Sequence, residues 1–471
     1  MVKNMEFQAV IMAGGRGDQM SDLTSSIPKP LLPIGNKPLI WYTVNTLERV
    51  GFREIIIITM NSIVNSVKQA ISSLKNINAD IVGISEDLDW GTTDSLRHIK
   101  DKVKCDLLVM SCDILCDFEL HRLADVHRLH NTAITMLLAP ARPELENVPG
   151  VKAKRKSKKP REIIGLSKAK CSKCRVVFLE NEADVEEEAM SLSRSLLKQQ
   201  PCIHVRTDLT DVHMYIIRKW VVDYITHNKS KRSIRGELLP YLVKKQWRKP
   251  AEVTKESEIS IADPTNTTTD EIESDPRDIF SYLRQDSAIE RVLNLSLKTK
   301  PLLHSGHKTE DQLSVHAYVY EAGFCMRVNT LSAFVEANRL MAKNISIIAP
   351  NVAELPLIHA SVKVEEKTQI GSDSMIAEDS VIGTKVSVKR CTIGKHCVIG
   401  NQVRLTNCTI LDKVVIRDGC TIQNSVICEN VEIGEKSTVK DCLVGSQHVL
   451  QPGSNITNES LVESTTMMDF E

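Results

Sequence analysis

Nowhere in the 471 residues do 18 apolar side chains follow one another, and the opening stretch MVKNMEFQAVIMAGG has no basic segment leading into a long apolar one. Neither a membrane-spanning helix nor a secretory leader is expected. Charge of one sign is not in excess either. Lys+Arg and Asp+Glu each number 60, so no overall field draws the molecule to nucleic acid or to an anionic membrane, and any charged partner must be met by a local patch. What is present, 42% hydrophobic and 25% charged residues, excludes a disordered or fibrous chain and suffices for two or three domains with proper cores. The 13 cysteines are an odd number. Many fall on apolar positions of the repeat described below, which points to reduced thiols acting as small hydrophobes in a cytosolic compartment. Sequons such as Asn294-Leu-Ser then carry no weight.

Residues 7 to 13, FQAVIMA, form a short apolar run ended by Gly14-Gly15-Arg16-Gly17, the pattern of a buried strand entering a glycine loop. Residues 54 to 60 and 106 to 110 read as further buried strands, and 39 to 50 and 62 to 75 have helical spacing of apolar residues. Alternation of strand and helix predicts a mostly parallel sheet, with ligands at the carboxyl ends of its strands, where Gly14 to Gly17 would sit. From about 249 to 313 the chain turns polar, as expected of a linker or insertion. Residues 315 to 320 then read as a strand and 331 to 342 as a helix that completes the first domain.

The third region is the most regular. Apolar residues fall every six positions from Ile358 through Val364, Ile370, Ile376, Ile382 and Val388. The spacing then becomes six, six, five, running through Ile393, Ile399, Leu405, Ile410, Ile416, Ile422, Ile427, Ile433, Val439, Val444, Leu450 and Ile456. A period of six cannot be helical. Three hexads make one triangular coil with apolar residues pointing inward, so eighteen positions predict a parallel β-helix of six coils with one tightened corner.

The stretch AVIMAGGRGDQMSDLTSSIPKPLLPIGNKPLI resembles the signature of the sugar-1-phosphate nucleotidyltransferases. Trp90-Gly91-Thr92 stands where that family has its base-contacting Gly-Thr-Ala, Ser111-Cys112-Asp113 where it has a metal-binding Gly-Asp, and the β-helix where it often carries a C-terminal appendage. The fold that the resemblance implies is α/β: a nucleotidyltransferase-like (Rossmann-like) domain over 1–345, with a basic loop at 151–161 and the polar insertion at about 249–313. A left-handed parallel β-helix of hexapeptide repeats follows over 358–461. In that chemistry a sugar phosphate attacks the α-phosphorus of a nucleoside triphosphate, and the protein must mainly neutralise growing negative charge. The resemblance implies that Gly14, Gly15, Gly17, Lys29, Gly91 and Thr92 are vestiges of nucleotide binding.

Other positions depart from the family pattern. Its Thr-Arg pair is here Asp18-Gln19, which removes a cation and adds a carboxylate, a change of about several kcal/mol at 4 to 6 Å and an effective dielectric near 20. Arg16, two residues away, is positioned to offset part of this. The family's closing Gly-Phe-Trp-x-Asp-Ile-Gly-Thr-Pro is here GFCMRVNTL, so Arg327 replaces the second metal aspartate and leaves Asp113 alone. Where the family has Asn-Ala-Gly before a tyrosine, this chain has Asp211-Val212-His213-Met214-Tyr215, and His213 adds bulk where backbone would approach the sugar. These changes predict no catalytic residue, no metal and no cofactor.

Four further segments, NEAD at 181–184, DLTDVHMYIIRKWVVDYI at 208–225, RGELLPYLVKKQ at 235–246 and EANR at 336–339, are similar to the gamma-subunit family of eukaryotic translation initiation factor 2B, the guanine nucleotide exchange factor for the GTP-binding initiation factor 2. That resemblance implies partnership with the epsilon subunit and the other subunits of the complex. It also implies a supporting role in exchange, since this sequence stops at Glu471 without the helical catalytic domain of epsilon. It implies no membrane and no direct nucleic-acid partner. The alternative is an active or regulatory GDP- or ADP-sugar pyrophosphorylase, which would keep arginine near position 19 and aspartate near 327.

Three other features have plainer readings. The basic run VKAKRKSKKPR at 151–161 lacks aromatics to stack bases and reads as a solvated loop. Cys171 and Cys174 have zinc spacing but no second ligand pair nearby, so a surface hairpin is expected. His359, His396 and His448 lack companion carboxylates and read as solvent-facing corners of the β-helix, not as the general base of a hexapeptide acyltransferase.

Overall fold

The computed structural model describes residues 6–142, 148–150, 161–167, 173–182, 192–248, 278–283, 313–350 and 357–461. The runs FQAVIMA, EIIIITM and DLLVMS form the buried strands Phe7–Ala13, Glu54–Met60 and Asp106–Ser111. They are apolar on both faces because helices cover both sides of the sheet. With Asn78–Ile84 at one edge they make a parallel block, in the order 78–84, 54–60, 7–13, 106–111. Beyond it the ten-stranded sheet is mixed. Leu209–Ile217 runs antiparallel between Asp106–Ser111 and Ile134–Pro140, Val315–Val319 lies parallel to the latter, and Lys173–Asn181, Glu162–Leu166 and His204–Arg206 complete the other edge.

The expected helix at 39–50 is Leu39–Val50, closed by Gly51, and that at 331–342 extends to Leu331–Ile348 behind a Thr330 cap. Helical spacing at 62–75 resolves into a short turn followed by Val64–Ile71. The polar stretch is not wholly a linker. At 278–283, Ile279, Phe280 and Tyr282 bury themselves in the main core, because three apolar side chains on one short segment recover more by burial than a solvated tether would. The hairpin expected around Cys171 and Cys174 is the antiparallel pair Glu162–Leu166 and Lys173–Asn181, but the Cys174 side chain is buried in that core and not on the surface, while Cys171 and residues 151–160 lie outside the described residues.

The hexads fold as three sheets of six parallel strands, each strand two or three residues long. Strand pairs are 18 residues apart at the first turn, Lys363 with Val381, and 17 thereafter, as in Val381 with Val398, which is the tightened corner. The inward positions from Ile376 to Val444 are all nearly solvent-free, whereas Ile358 and Val364 on the opening coil are exposed and Ile358 makes only an isolated bridge. The sixth coil is completed instead by Leu461 on Ser460–Leu461. Most corners place a residue in the left-handed region, often Asn or Asp, whose short side chains tolerate it. Asn407 donates to Asn424, and Asn424 to Asp441, each at 3.1 Å, so a polar ladder runs down one corner. His396 occupies such a corner at φ 53 and is exposed, as is His359, while His448 is half-buried.

One face of the β-helix is apolar on its outside as well. Met375, Val426 and Leu443 pack with Phe334, Ala337 and Met341 of the long helix and with Leu23 and Ile34, so the two regions share a core. Asn338 fixes the geometry there. Its side chain accepts from Gly35 N at 3.0 Å and donates to Phe334 O at 3.2 Å, while fully enclosed. Replacing Asn338 by Ala strands the Gly35 amide, and we expect a loss of about 1–2 kcal/mol in urea denaturation.

Candidate functional site

At the carboxyl end of the parallel block, Gly14 to Gly17 follow the strand Phe7–Ala13, and Asp113 follows Asp106–Ser111. Gly17 has φ +82, and a Cβ there would sit 2.7 Å from Thr24 Cγ2, so the turn requires glycine. Pro28 leads into the short turn Lys29–Leu31, which aims the Lys29 ammonium back at the strand ends. There Lys29 Nζ lies 2.6 Å from Asp113 Oδ2.

The segment Cys325–Arg327 pairs antiparallel with Ile114–Cys116, and this small ribbon carries Arg327 onto the same carboxylate. Arg327 donates from Nη2 to Asp113 Oδ2 at 3.0 Å and from Nε to Oδ1 at 3.3 Å. Asp113 is fully buried, and both of its oxygens are taken by protein cations. Burial alone would push its carboxyl up, but the Arg327 guanidinium and then the Lys29 ammonium outweigh it and hold Asp113 well below the usual carboxylate range.

Behind this triad lies a second polar layer that sequence reasoning did not assemble. His213 sits at an irregularity of the strand Leu209–Ile217 with φ 60, a backbone region that favours glycine. Its amide donates to Asp211 Oδ1 at 2.8 Å, while its Nε2 is enclosed and finds no partner among the described residues. Burial and then Arg327 depress the imidazole to about 3, so it is neutral at physiological pH. Asp211, pushed up to about 6 by burial, accepts from the Tyr215 hydroxyl. Its amide donates to Glu162, which pairs with Arg235. Glu162 and Arg235 lie far apart in the chain, and no local spacing announces them.

The remaining positions are arranged differently from expectation. Asp18 and Gln19 are exposed, so solvent screens the carboxylate far more than the sequence-based figure assumed. Arg16 does not compensate Asp18. Its guanidinium donates to Glu86 O at 2.6 Å. Gly91 is pressed against its own chain, where a Cβ would lie 2.0 Å from Arg232 O, and Thr92 Oγ1 accepts from Ile234 N at 2.8 Å. Both residues thereby brace the 232–234 segment. Among the described residues no three His, Cys, Asp or Glu side chains are grouped to hold a metal ion, and no helix is long and apolar enough to cross a membrane.

Comparison with known proteins matches residues 8–156 to the nucleotidyl transferase family and residues 357–457 to the EIF2B subunit epsilon LbH domain. Translation initiation factor eIF2B subunit gamma of Dictyostelium discoideum is 28% identical over 83% of this chain and 88% of its own length. The Schizosaccharomyces pombe subunit of the same name is 28% identical over 80% of this chain and 72% of its own. Mannose-1-phosphate guanyltransferase of Candida albicans is also 28% identical, but over only 28% of this chain and 37% of that enzyme. The chain thus carries a nucleotidyltransferase domain followed by a β-helix of the eIF2B LbH kind, and as a whole it is similar to the gamma subunits of translation initiation factor eIF2B.

Proposed function

We propose that this chain is a non-catalytic subunit of a translation initiation factor 2B complex, in which it pairs with an epsilon-type subunit and supports GDP/GTP exchange on the GTP-binding initiation factor 2. The observation that carries this reading is the pairing of Asp113 with Arg327 and Lys29. A nucleotidyl transfer needs carboxylates free to hold a divalent cation against phosphates. Here the carboxylate is already neutralised, and a guanidinium, which has no lone pair and repels Mg²⁺, occupies the side from which a second acid would act. The donor set does not fit the metal that the nucleotidyltransferase family implies.

The second support is extent. Similarity to the gamma subunits spans 83% of the chain and so both of its regions, whereas similarity to the guanyltransferase covers only 28% of it. A supporting subunit needs surfaces, because holding the catalytic partner and its substrate protein together raises their effective concentration without any reacting side chain. His213, Asp18-Gln19 and Arg327 are then departures the chain tolerates because no phosphoryl chemistry is asked of it.

Incubation of the purified chain with Mg²⁺, GTP and mannose-1-phosphate is expected to release no pyrophosphate above a blank. Affinity recovery from cells is expected to bring a larger nucleotidyltransferase-like chain with an additional C-terminal domain. Steady pyrophosphate release would favour the sugar-nucleotide reading, and recovery of the chain alone would remove the subunit reading.

A further inference from the structure

The ribbon that delivers Arg327 also sets two cysteines face to face. Cys325 is directly opposite Cys116 in the antiparallel pairing of Cys325–Arg327 with Ile114–Cys116. The flanking bonds fix which kind of pair this is. Asp117 N donates to Phe324 O at 3.1 Å and Val328 N to Asp113 O at 2.8 Å, so positions 324/117 and 328/113 are the hydrogen-bonded pairs. Alternation along the ladder makes 325/116 a non-hydrogen-bonded pair, the class in which opposite side chains approach most closely, with Cα atoms about 4.5 Å apart. That spacing lies within the range a disulfide spans. Burial and then the facing Cys325 thiol both push the Cys116 thiol up.

Both thiols are reduced in the structure and nearly solvent-free, at 4% and 6% exposed. The strand Cys325–Arg327 has only three residues, and Glu321, Ala322 and Gly323 just before it are exposed. This ribbon can open as a unit smaller than the ten-stranded sheet, at a cost that includes the Arg327–Asp113 contact. Burial pushes the Cys116 thiol well above its ordinary range, so reaction is slow in the closed state and proceeds when the ribbon opens.

We propose that Cys116 and Cys325 form an oxidisable dithiol that closes to a disulfide under a hydroperoxide oxidant. One thiolate attacks the peroxide oxygen, giving a sulfenic acid and releasing hydroxide, which takes up the proton lost from that thiol as water. The second sulfur then displaces hydroxide from the sulfenic sulfur, and with its proton this leaves as a second water. Two thiols and one hydrogen peroxide thus give one S–S bond and two waters. The bond would staple the Arg327 ribbon to the strand that begins beside Asp113. It would therefore fix the guanidinium on the carboxylate and prevent the ribbon from lifting. This inference does not depend on which complex the chain serves.

The test treats the full-length chain with hydrogen peroxide, blocks remaining thiols with an alkylating agent under denaturing conditions, and maps linked peptides by mass spectrometry. Exposed Cys202 serves as the internal control for oxidant dose. The expected result is a Cys116–Cys325 linked peptide about 2 Da below the sum of its parts, abolished by dithiothreitol. It should persist in C202S and be absent from C116S and C325S. The oxidised wild type should also melt several degrees higher than the reduced form, a shift missing from C325S, whose folding is checked by circular dichroism. The proposal is overturned if Cys116 and Cys325 are both still alkylated at a peroxide dose that consumes Cys202, or if either sulfur links preferentially to another cysteine.

Discussion

Replacement of Arg327 by Met is expected to cost the chain about 3–5 kcal/mol of stability at neutral pH, because it leaves a buried carboxylate with half its partners. Asp113 is fully enclosed and both of its oxygens accept from cations, so removing the guanidinium strips the contact to Oδ1 and leaves Lys29 alone on Oδ2. An apolar side chain of similar length fills the space, and the loss is therefore electrostatic. The double variant D113N/R327M should recover most of it, since the charge that needed a partner has gone. Arg327→Asp separates the two accounts of the site. It places a second acid beside Asp113 and should destabilise still further in the absence of metal, but Mg²⁺ or Mn²⁺ should restore part of the loss, whereas neither ion should move the wild type. Urea titrations with and without the ion measure this. A wild type that is itself stabilised by Mg²⁺ would mean that the Asp113–Arg327 pair opens to admit metal.

Much of this was legible in the residues, and the parts that were not have definite physical reasons. The hexad rule was readable because an inward position every six residues is imposed by the coil itself, and a single pattern of Ile, Val and Leu records it. Only the apolar series is offset, with Ile358 before the first strand and Leu461 on the last, and Ile358 and Val364 are exposed because no coil lies beneath them. The strands at 7–13, 54–60 and 106–111 were readable because burial on both faces leaves an unbroken apolar run. In the candidate site, Asp113, Lys29, Arg327 and His213 were found as departures from or survivals of a pattern, and they do converge. The layer Asp211–Tyr215 with Glu162 and Arg235 was not assembled. Asp211 and Tyr215 share one strand, Glu162 opens a strand separated from it by three others in the sheet, and Arg235 lies in the helical turn Ile234–Leu238, so only the tertiary fold brings them together. The direction of Arg16 was also illegible. Proximity in sequence suggested Asp18, but the Glu86 carbonyl lies across the glycine loop and satisfies the guanidinium.

Acid should destabilise this protein from about pH 6.5 downward, and two buried histidines contribute most of the loss. Burial and then the charges of Arg327 bring His213 down to about 3, and burial with His130 and Arg175 does the same to His316, from an ordinary value of 6.5. His213 Nε2 and His316 Nδ1 find no hydrogen-bond partner among the described residues, which is why neither environment rewards a proton. Between about pH 6.5 and 3 the unfolded chain therefore binds two protons that the folded chain refuses, and stability falls as pH falls, by up to about 1.4 kcal/mol per unit for each imidazole. Asp211 acts in the opposite sense. Its folded value, raised to about 6, lies above the unfolded 3.8, so the folded chain holds a proton there that the unfolded chain has released. Lowering the pH through that window returns part of the loss. Two histidines against one aspartate leave a net decline of about 4 kcal/mol from pH 6.5 to 3.8. Below that, Asp113 adds to the loss, because its depressed carboxyl stabilises the fold only while the unfolded carboxyl is also ionised. H316F, which keeps a ring to stack on His130 and replaces an Nδ1 without a partner among the described residues, should flatten the decline by one proton, and H213N by another. Urea midpoints measured across this range in the two variants are the check, and a wild-type slope in both would show that the acid sensitivity arises elsewhere.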